Sequence, residues 1–351
     1  MSGSPGRPGD RDRAGVAAGL GVAVMGAGSW GTTFGMVLAD AGASVRVWAR
    51  RERVCEDIAV RHRNEAYLGD LPLPEAVSAT TDPREALAGA RLVALAVPSQ
   101  QLRANLTAWR EAIGPDAVVV SLMKGVELGT HRRMSEVIAE VTGAGPERIA
   151  VVSGPNLAKE IAVRQPTATV VASTHLPTAE FVADACSVPY FRPYTNDDLV
   201  GVELGGAVKN VIALAVGIAE GMGFGDNTKA SIITRGLAEV TRLALTLGAQ
   251  PATMAGLAGL GDLVATCASP LSRNRTVGVH LGHGLSLAET VVLTRQTAEG
   301  VKSCEPILNL GRAAGVELPI IEAVVAVVHH GYPAQDMVRD LLGRPRKLET
   351  A

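Results

Sequence analysis

The stretch Val22-Ala23-Val24-Met25-Gly26-Ala27-Gly28-Ser29-Trp30-Gly31 decides the fold. Its first four residues read as a short buried strand, and the apolar segment after Gly31 reads as the start of a helix. Between them stands a Gly-x-Gly-x-x-Gly string. Gly26 permits a tight turn, Gly28 lets backbone approach a pyrophosphate at a helix N-terminus, and Gly31 lets the helix pack on the sheet. Glycine turns are common, so the string alone would be equally at home in a purely structural turn. The strand before it and the helix after it point to a dinucleotide site.

The same stretch sits inside Ala14 to Ala39, which carries no charge and follows Arg7, Arg11 and Arg13. That profile superficially resembles a signal peptide or a membrane span. Seven glycines within it make a poor spanning helix, whereas strand, turn and helix account for every residue. The expectation is a soluble, cytoplasmic protein with no membrane insertion.

Downstream, short β-branched runs alternate with helical segments: Ser44 to Trp48, Leu92 to Val97, Val118 to Leu122, Ile149 to Val152 and Thr167 to Ala172. Such alternation predicts an α/β, Rossmann-type doubly wound parallel sheet. After about Leu199 the strand signal stops. Glu203 to Glu220, Lys229 to Leu247, Ala288 to Thr297, Glu305 to Ala314 and Ile320 to His330 read as helices, with Gly248, Gly315 and Gly331 just past their ends. The expected organisation is a disordered tail over 1–18, a Rossmann domain over 19–200 and an all-α C-terminal domain over 201–345.

A chain of 351 residues supports two such cores, and its formal charge of -2 offers no electrostatic case for nucleic acid as partner. Cys55, Cys186, Cys267 and Cys304 have no paired spacing, which argues against a zinc site or redox pair and fits reduced, structural thiols. No metal site is expected. An alanine-rich helical domain can leave a face for a second copy, so a homodimer is a further expectation.

Several charged residues occur in settings unusual for surface groups. Arg50 and Arg51 follow the second strand, where an acidic residue would bind a ribose 2′-hydroxyl and a basic one a 2′-phosphate. NADP is therefore preferred and NAD remains open, because Glu52 is adjacent and both arginines could be solvated surface groups. Lys124 ends the apolar run Val118 to Met123, at the carboxyl end of a strand where ligands bind in open α/β sheets; a surface lysine would read the same. Lys209 lies in a segment apolar nearly all round, from Leu204 to Ala213. A desolvated ammonium there could act as general acid or base near neutral pH, unless it snorkels to water beside Asn210. Asp262, after Gly259-Leu260-Gly261, is either a helix N-cap or a charge partner for that lysine. Ser272-Arg273-Asn274-Arg275 could cap a helix and offer donors to a phosphate, or merely begin a helix.

Taken in order, Gly26 to Gly31, Ser121 to Gly125, Ser153-Gly154-Pro155, Gly201 to Asn210, Gly225 to Lys229, Gly256 to Asp262, Ser272 to Arg275 and Ala298-Glu299-Gly300 closely resemble the bacterial type of NAD(P)-dependent glycerol-3-phosphate dehydrogenase. The resemblance runs from about Val22 to Leu342. It implies a helical domain of the 6-phosphogluconate-dehydrogenase-like kind, and reduction of dihydroxyacetone phosphate to sn-glycerol 3-phosphate for glycerophospholipid synthesis. It also implies roles. Lys209 would be proton donor and acceptor, with Lys124 orienting substrate oxygens and Asp262 beside them. Gly154, Asn156, Ser272, Arg273 and Asn274 would bind substrate, and Ser29, Trp30, Arg50, Arg51, Lys124, Ala158, Arg273 and Glu299 would face the cofactor. Asn156 stands where the family also uses other side chains, so its contact is the least specific.

Two other readings remain. One is a related reductase of another phosphorylated or acidic carbonyl compound; the arginine and asparagine after Ser272 favour a phosphate-bearing substrate. The other is a cofactor sensor that has lost catalysis, against which Lys124, Lys209 and Asp262 speak together.

Overall fold

The computed structural model describes residues 15–294 and 298–343. The expected tail lies outside these residues up to position 14, and so do the last three positions of the helix expected to end at Thr297. Of the remaining tail positions, Ala17 is buried in a turn that leads to β1.

Eight strands form one sheet in the order β3-β2-β1-β4-β5-β6-β7-β8. They are β1 (Gly21–Met25), β2 (Ser44–Trp48), β3 (Val77–Thr80), β4 (Leu92–Leu95), β5 (Val118–Ser121), β6 (Ile149–Ser153), β7 (Thr167–Ala172) and β8 (Phe191–Asn196). From β3 through β6 every pairing is parallel, with β1 at the point where the strand order reverses. The uncharged stretch Ala14 to Ala39 becomes β1, the turn and the helix Ser29–Asp40, as its glycines require.

The sheet differs from the sequence-based expectation in two respects. First, β7 runs antiparallel to β6, and β8 is parallel to β7. The link between β6 and β7 holds one helix of five residues, Ala158–Ala162. At about 1.5 Å per residue it spans roughly 8 Å, too little to carry the chain back along a strand for a parallel return. Second, the edge strands β3 and β8 were not expected. Val77-Ser78-Ala79-Thr80 is short and half polar, and β8 contains Pro193, which cannot donate to a ladder and is tolerated because β8 pairs on one side only.

Alternate residues of β1 feed two apolar layers. Val22 and Val24 pack with Phe34, Leu38 and Phe191, while Ala23 and Met25 pack with Leu95, Leu106 and Ile138. This period of two, with both faces covered, is what a parallel sheet demands.

The chain divides into two compact units. The sheet unit runs to Met123 and resumes over Met134–Val202; the helical unit comprises Lys124–Arg133 and the chain from Glu203 onward. The segment carrying Lys124 thus belongs with the helices. Leu199–Gly221 is the long helix here, apolar enough to cross a membrane by composition, but 89% of its apolar window is buried within the protein. It crosses the helix Arg273–Gly282 with backbone against backbone. A Cβ on Gly217 would collide with the Arg275 carbonyl, and one on Gly278 with the Leu214 carbonyl; Gly221 and Gly282 repeat the contact one turn later.

The helices Asp226–Thr246, Leu287–Thr294, Glu299–Ala313 and Pro319–His330 occur where the pattern predicts them, within a few residues, except that Glu299–Ala313 begins six residues early and carries Pro306 inside it. Gly248, Gly315 and Gly331 all have positive φ, as glycine caps do. Buried Glu239 accepts from the backbone N–H of Ile320 at 2.8 Å, so a carboxylate sits at the positive end of Pro319–His330. Cys186, Cys267 and Cys304 are buried and Cys55 is partly so; all four are free thiols.

Candidate active site

In the sheet unit the glycine turn leaves β1 at Gly26, whose φ is +134° and whose added Cβ would lie 2.5 Å from the Ala96 carbonyl oxygen. A Cβ at Gly31 would run into the Gly26 carbonyl and the Ala96 side chain. Gly28 differs: a Cβ there would meet nothing within 4 Å. Gly28 is also the N-cap of Ser29–Asp40 and has no side chain to cap the first turn. Open space in front of an uncapped helix N-terminus is a cradle for an anion. Trp30 packs on Phe34 and Phe191 with ring centroids 5.6 and 6.3 Å away, and its buried Nε1 has no partner among the described residues. Cradle and orphaned donor fit the pyrophosphate of a dinucleotide.

Around the turn, Ser29 donates to the Tyr67 carbonyl at 3.4 Å, and Asn64 donates to the Ala27 carbonyl at 3.0 Å and to Thr32 at 2.8 Å. Arg50 and Arg51 are both exposed, yet unequal. The Arg51 guanidinium donates to the Tyr67 hydroxyl at 2.8 Å and lies over its ring, whereas Arg50 makes no hydrogen bond or ion pair among the described residues. Ala158 opens its helix and accepts from Thr33 at 3.3 Å. Gly154, with φ of +127°, follows β6, and Asn156 two residues on has both amide atoms buried without partners among the described residues.

In the helical unit three sequence candidates converge. Asp262, 1% exposed, accepts from Lys124 Nζ through Oδ2 at 2.6 Å and from Lys209 Nζ through Oδ1. Lys209 also donates to Thr266 Oγ1 at 2.7 Å. Its side chain is 8% exposed, so it does not snorkel, and Asp262 is its charge partner rather than a helix cap. Burial pushes the Lys209 ammonium down to about 7, and Lys124 adds to that fall, while the Asp262 carboxylate pulls the other way. One carboxylate between two ammonium groups leaves the cluster net positive when both are protonated. A π-helical turn, Leu257–Gly261, presents Asp262, and Gly205 admits it: a Cβ on Gly205 would lie 2.6 Å from the Ala258 carbonyl.

Ser272 caps Arg273–Gly282 by accepting from the Arg275 N–H at 3.3 Å. Arg273, exposed, is close enough to draw down the Glu299 carboxyl, whose pKa is nevertheless raised because desolvation outweighs Arg273, Lys124, Lys209 and Lys302. Asn274 is turned inward, donating to Asn210 Oδ1 at 2.8 Å and accepting from the Gly300 N–H at 2.9 Å. It ties three helices together, and Arg275 forms a two-pronged pair with Glu220 at 2.7 Å.

Sequence reading missed Asn64, Thr266 and Asn210. Thr266 had a signal, since it stands four residues after Asp262 on one helix face. Asn64 and Asn210 had none, because their partners are remote in sequence.

Residues 21–179 match the family model for the NAD-dependent glycerol-3-phosphate dehydrogenase N-terminus, and residues 198–339 match that for the C-terminus. The chain is 61% identical over 327 residues to the glycerol-3-phosphate dehydrogenase, NAD(P)+, of Streptomyces griseus, covering 93% of this chain and 97% of the relative. To the protein of the same name from Thermobifida fusca it is 60% identical over 329 residues, 93% of this chain and 98% of the relative. Among solved structures, glycerol-3-phosphate dehydrogenase from Coxiella burnetii is similar with a TM-score of 0.88 at 36% identity, covering 92% of this chain and 98% of that one.

Proposed function

The chain belongs to the NAD-dependent glycerol-3-phosphate dehydrogenase family, and from that premise we propose that it catalyses the reversible, NAD(P)H-dependent reduction of dihydroxyacetone phosphate to sn-glycerol 3-phosphate, supplying glycerophospholipid synthesis in the cytoplasm. The observation that carries the mechanism is the buried Lys124–Asp262–Lys209 cluster.

A ketone accepting hydride develops negative charge on its oxygen, and the reaction completes only when a proton arrives there. Lys209 supplies that proton: at a pKa of about 7 its ammonium is acidic enough to give a proton and its amine basic enough to take one back, as reversibility requires. Lys124 stabilises the developing charge, and Asp262 holds both lysines in place. A reduced nicotinamide cofactor held at the glycine turn would supply the hydride. In reduction Lys209 ends as a neutral amine and regains its proton from solvent.

The substrate phosphate is assigned to the N-terminus of Arg273–Gly282, beside the Ser272 cap and the exposed Arg273. Asn274 serves through its second amide hydrogen, its first being spent on Asn210. Gly154 and Asn156 complete the substrate set, the latter on the strength of its unpartnered amide. Cofactor contacts are assigned to Gly26, Gly28, Ser29, Trp30, Gly31, Ala158, Lys124, Arg273 and Glu299. NADP is preferred, with Arg50 as the 2′-phosphate ligand and Arg51, engaged with Tyr67, as its support.

The deciding experiment follows NADPH absorbance with dihydroxyacetone phosphate. Turnover is expected; NADPH binding without oxidation would sink the enzymatic reading in favour of a sensor. Arg50→Ala should lower the ratio of kcat/KM for NADPH over NADH about tenfold, the loss of one phosphate contact; an unchanged ratio would remove Arg50 from the assignment.

A further inference from the structure

The Asn64 side chain is fully buried, and its amide nitrogen makes two hydrogen bonds across gaps of 37 and 32 positions, to the Ala27 carbonyl and to Thr32 Oγ1. It does not cap the short helix that follows it, Glu65–Leu68. Its Oδ1 is buried without a partner among the described residues. An apolar side chain of similar size would avoid that desolvation penalty, so the two donated bonds are what the position requires.

Both bonds act on Gly28. A trans peptide is planar with its C=O and N–H antiparallel, so whatever fixes the Ala27 carbonyl also fixes the Gly28 N–H, pointing the opposite way. That N–H makes no hydrogen bond among the described residues. The next peptide is held as well, because the Gly28 carbonyl accepts from the Thr32 N–H at 2.9 Å. Thr32 is itself held through its hydroxyl by Asn64. Glycine is the most permissive residue in the chain, and here both peptides flanking Gly28 are locked beside open space at a helix N-terminus.

We propose that Asn64 is a positioning residue for the dinucleotide, holding the Ala27–Gly28 peptide so that its N–H is presented to the pyrophosphate. The proposal rests on the reading of Gly26 to Gly31 as the cofactor turn. Because both nicotinamide cofactors share the pyrophosphate, Asn64 acts on their affinity equally and does not choose between them.

The test is a set of dissociation constants, by calorimetry or protein fluorescence, for NADPH, NADH, ADP-ribose and 2′-AMP, with thermal melting alongside. Asn64→Ala should weaken the first three by a common factor of about ten, the loss of one buried hydrogen bond, and leave 2′-AMP unchanged because it lacks the pyrophosphate. Thr32→Val, which keeps the Ala27 bond, should weaken the same three by about threefold. Unchanged ADP-ribose binding in Asn64→Ala, or equal weakening of 2′-AMP, would overturn the proposal. Should Asn64→Ala not fold, Thr32→Val decides on the same two criteria. Failure of the unmodified protein to bind any of the three pyrophosphate-bearing ligands would instead refute the cofactor turn itself, a distinct result.

Discussion

The glycine turn of the sheet unit and the lysine centre of the helical unit are built on opposite principles. The turn is made of main chain: its functional groups are N–H donors, and its side chains are mostly missing so that the backbone can take an unusual path or be approached closely. The lysine centre is made of side chains from positions 53 and 138 residues apart from Asp262, buried together so that their charges are felt at low dielectric. One presents fixed dipoles and cannot titrate. The other buries a lysine whose ammonium is pushed down to about 7.

That contrast can be attacked experimentally. The largest effect is expected from Asp262→Ala, which removes the buried carboxylate shared by Lys124 and Lys209; stability should fall by about 3–5 kcal/mol in denaturant titration, with turnover lost. A fall under 1 kcal/mol would mean the cluster is not held by its carboxylate. Next comes Gly31→Ala on the other side of the comparison. The added methyl meets the Gly26 carbonyl, so about 1–3 kcal/mol of stability should be lost together with dinucleotide affinity, while the pH profile of any residual activity stays where it was.

The pH profile separates the two sites most directly. With Lys209 as the proposed proton donor, kcat for reduction should fall about tenfold per unit above roughly pH 7, and kcat for oxidation should fall below it. The same depressed pKa bears on stability. Between about 7 and the ordinary lysine value of 10.5 the unfolded chain binds more protons than the folded one, so this group makes stability rise with pH across that window. A flat kcat from pH 6 to 9 would remove Lys209 as the proton donor. The smallest effect is a control. Glu239→Gln keeps a hydrogen-bond acceptor at Ile320 but loses its charge, and should cost about 1 kcal/mol with no change in the pH profile.

The same contrast explains what could be read from sequence. Gly26 to Gly31 is legible because a main-chain site is written in consecutive residues, and β1 beside it because Val22 to Met25 is an unbroken apolar run. Lys209 is visible as an anomaly, a charge in an apolar helix, but Asp262 is legible only as either its partner or a helix cap, since nothing local distinguishes the two. Asn274 shows the limit. Its position beside Arg273 suggests a phosphate donor, but nothing local shows that one amide hydrogen goes to Asn210 and the amide oxygen to the Gly300 N–H, a network that depends on how three helices cross. The edge strand β8 was hidden by Pro193, which only its place in the sheet excuses.

The glycine crossing of Leu199–Gly221 with Arg273–Gly282 joins these themes, because the first helix carries Lys209 and the second begins at the Ser272 cap. With backbone seated on backbone, no side chain lies between the two helices at Gly217, Gly221, Gly278 and Gly282 to set their separation. If Lys209 and the Ser272 cap take the carbonyl and the phosphate as proposed above, the crossing works as a caliper, and a substrate one carbon longer should be turned over far more slowly.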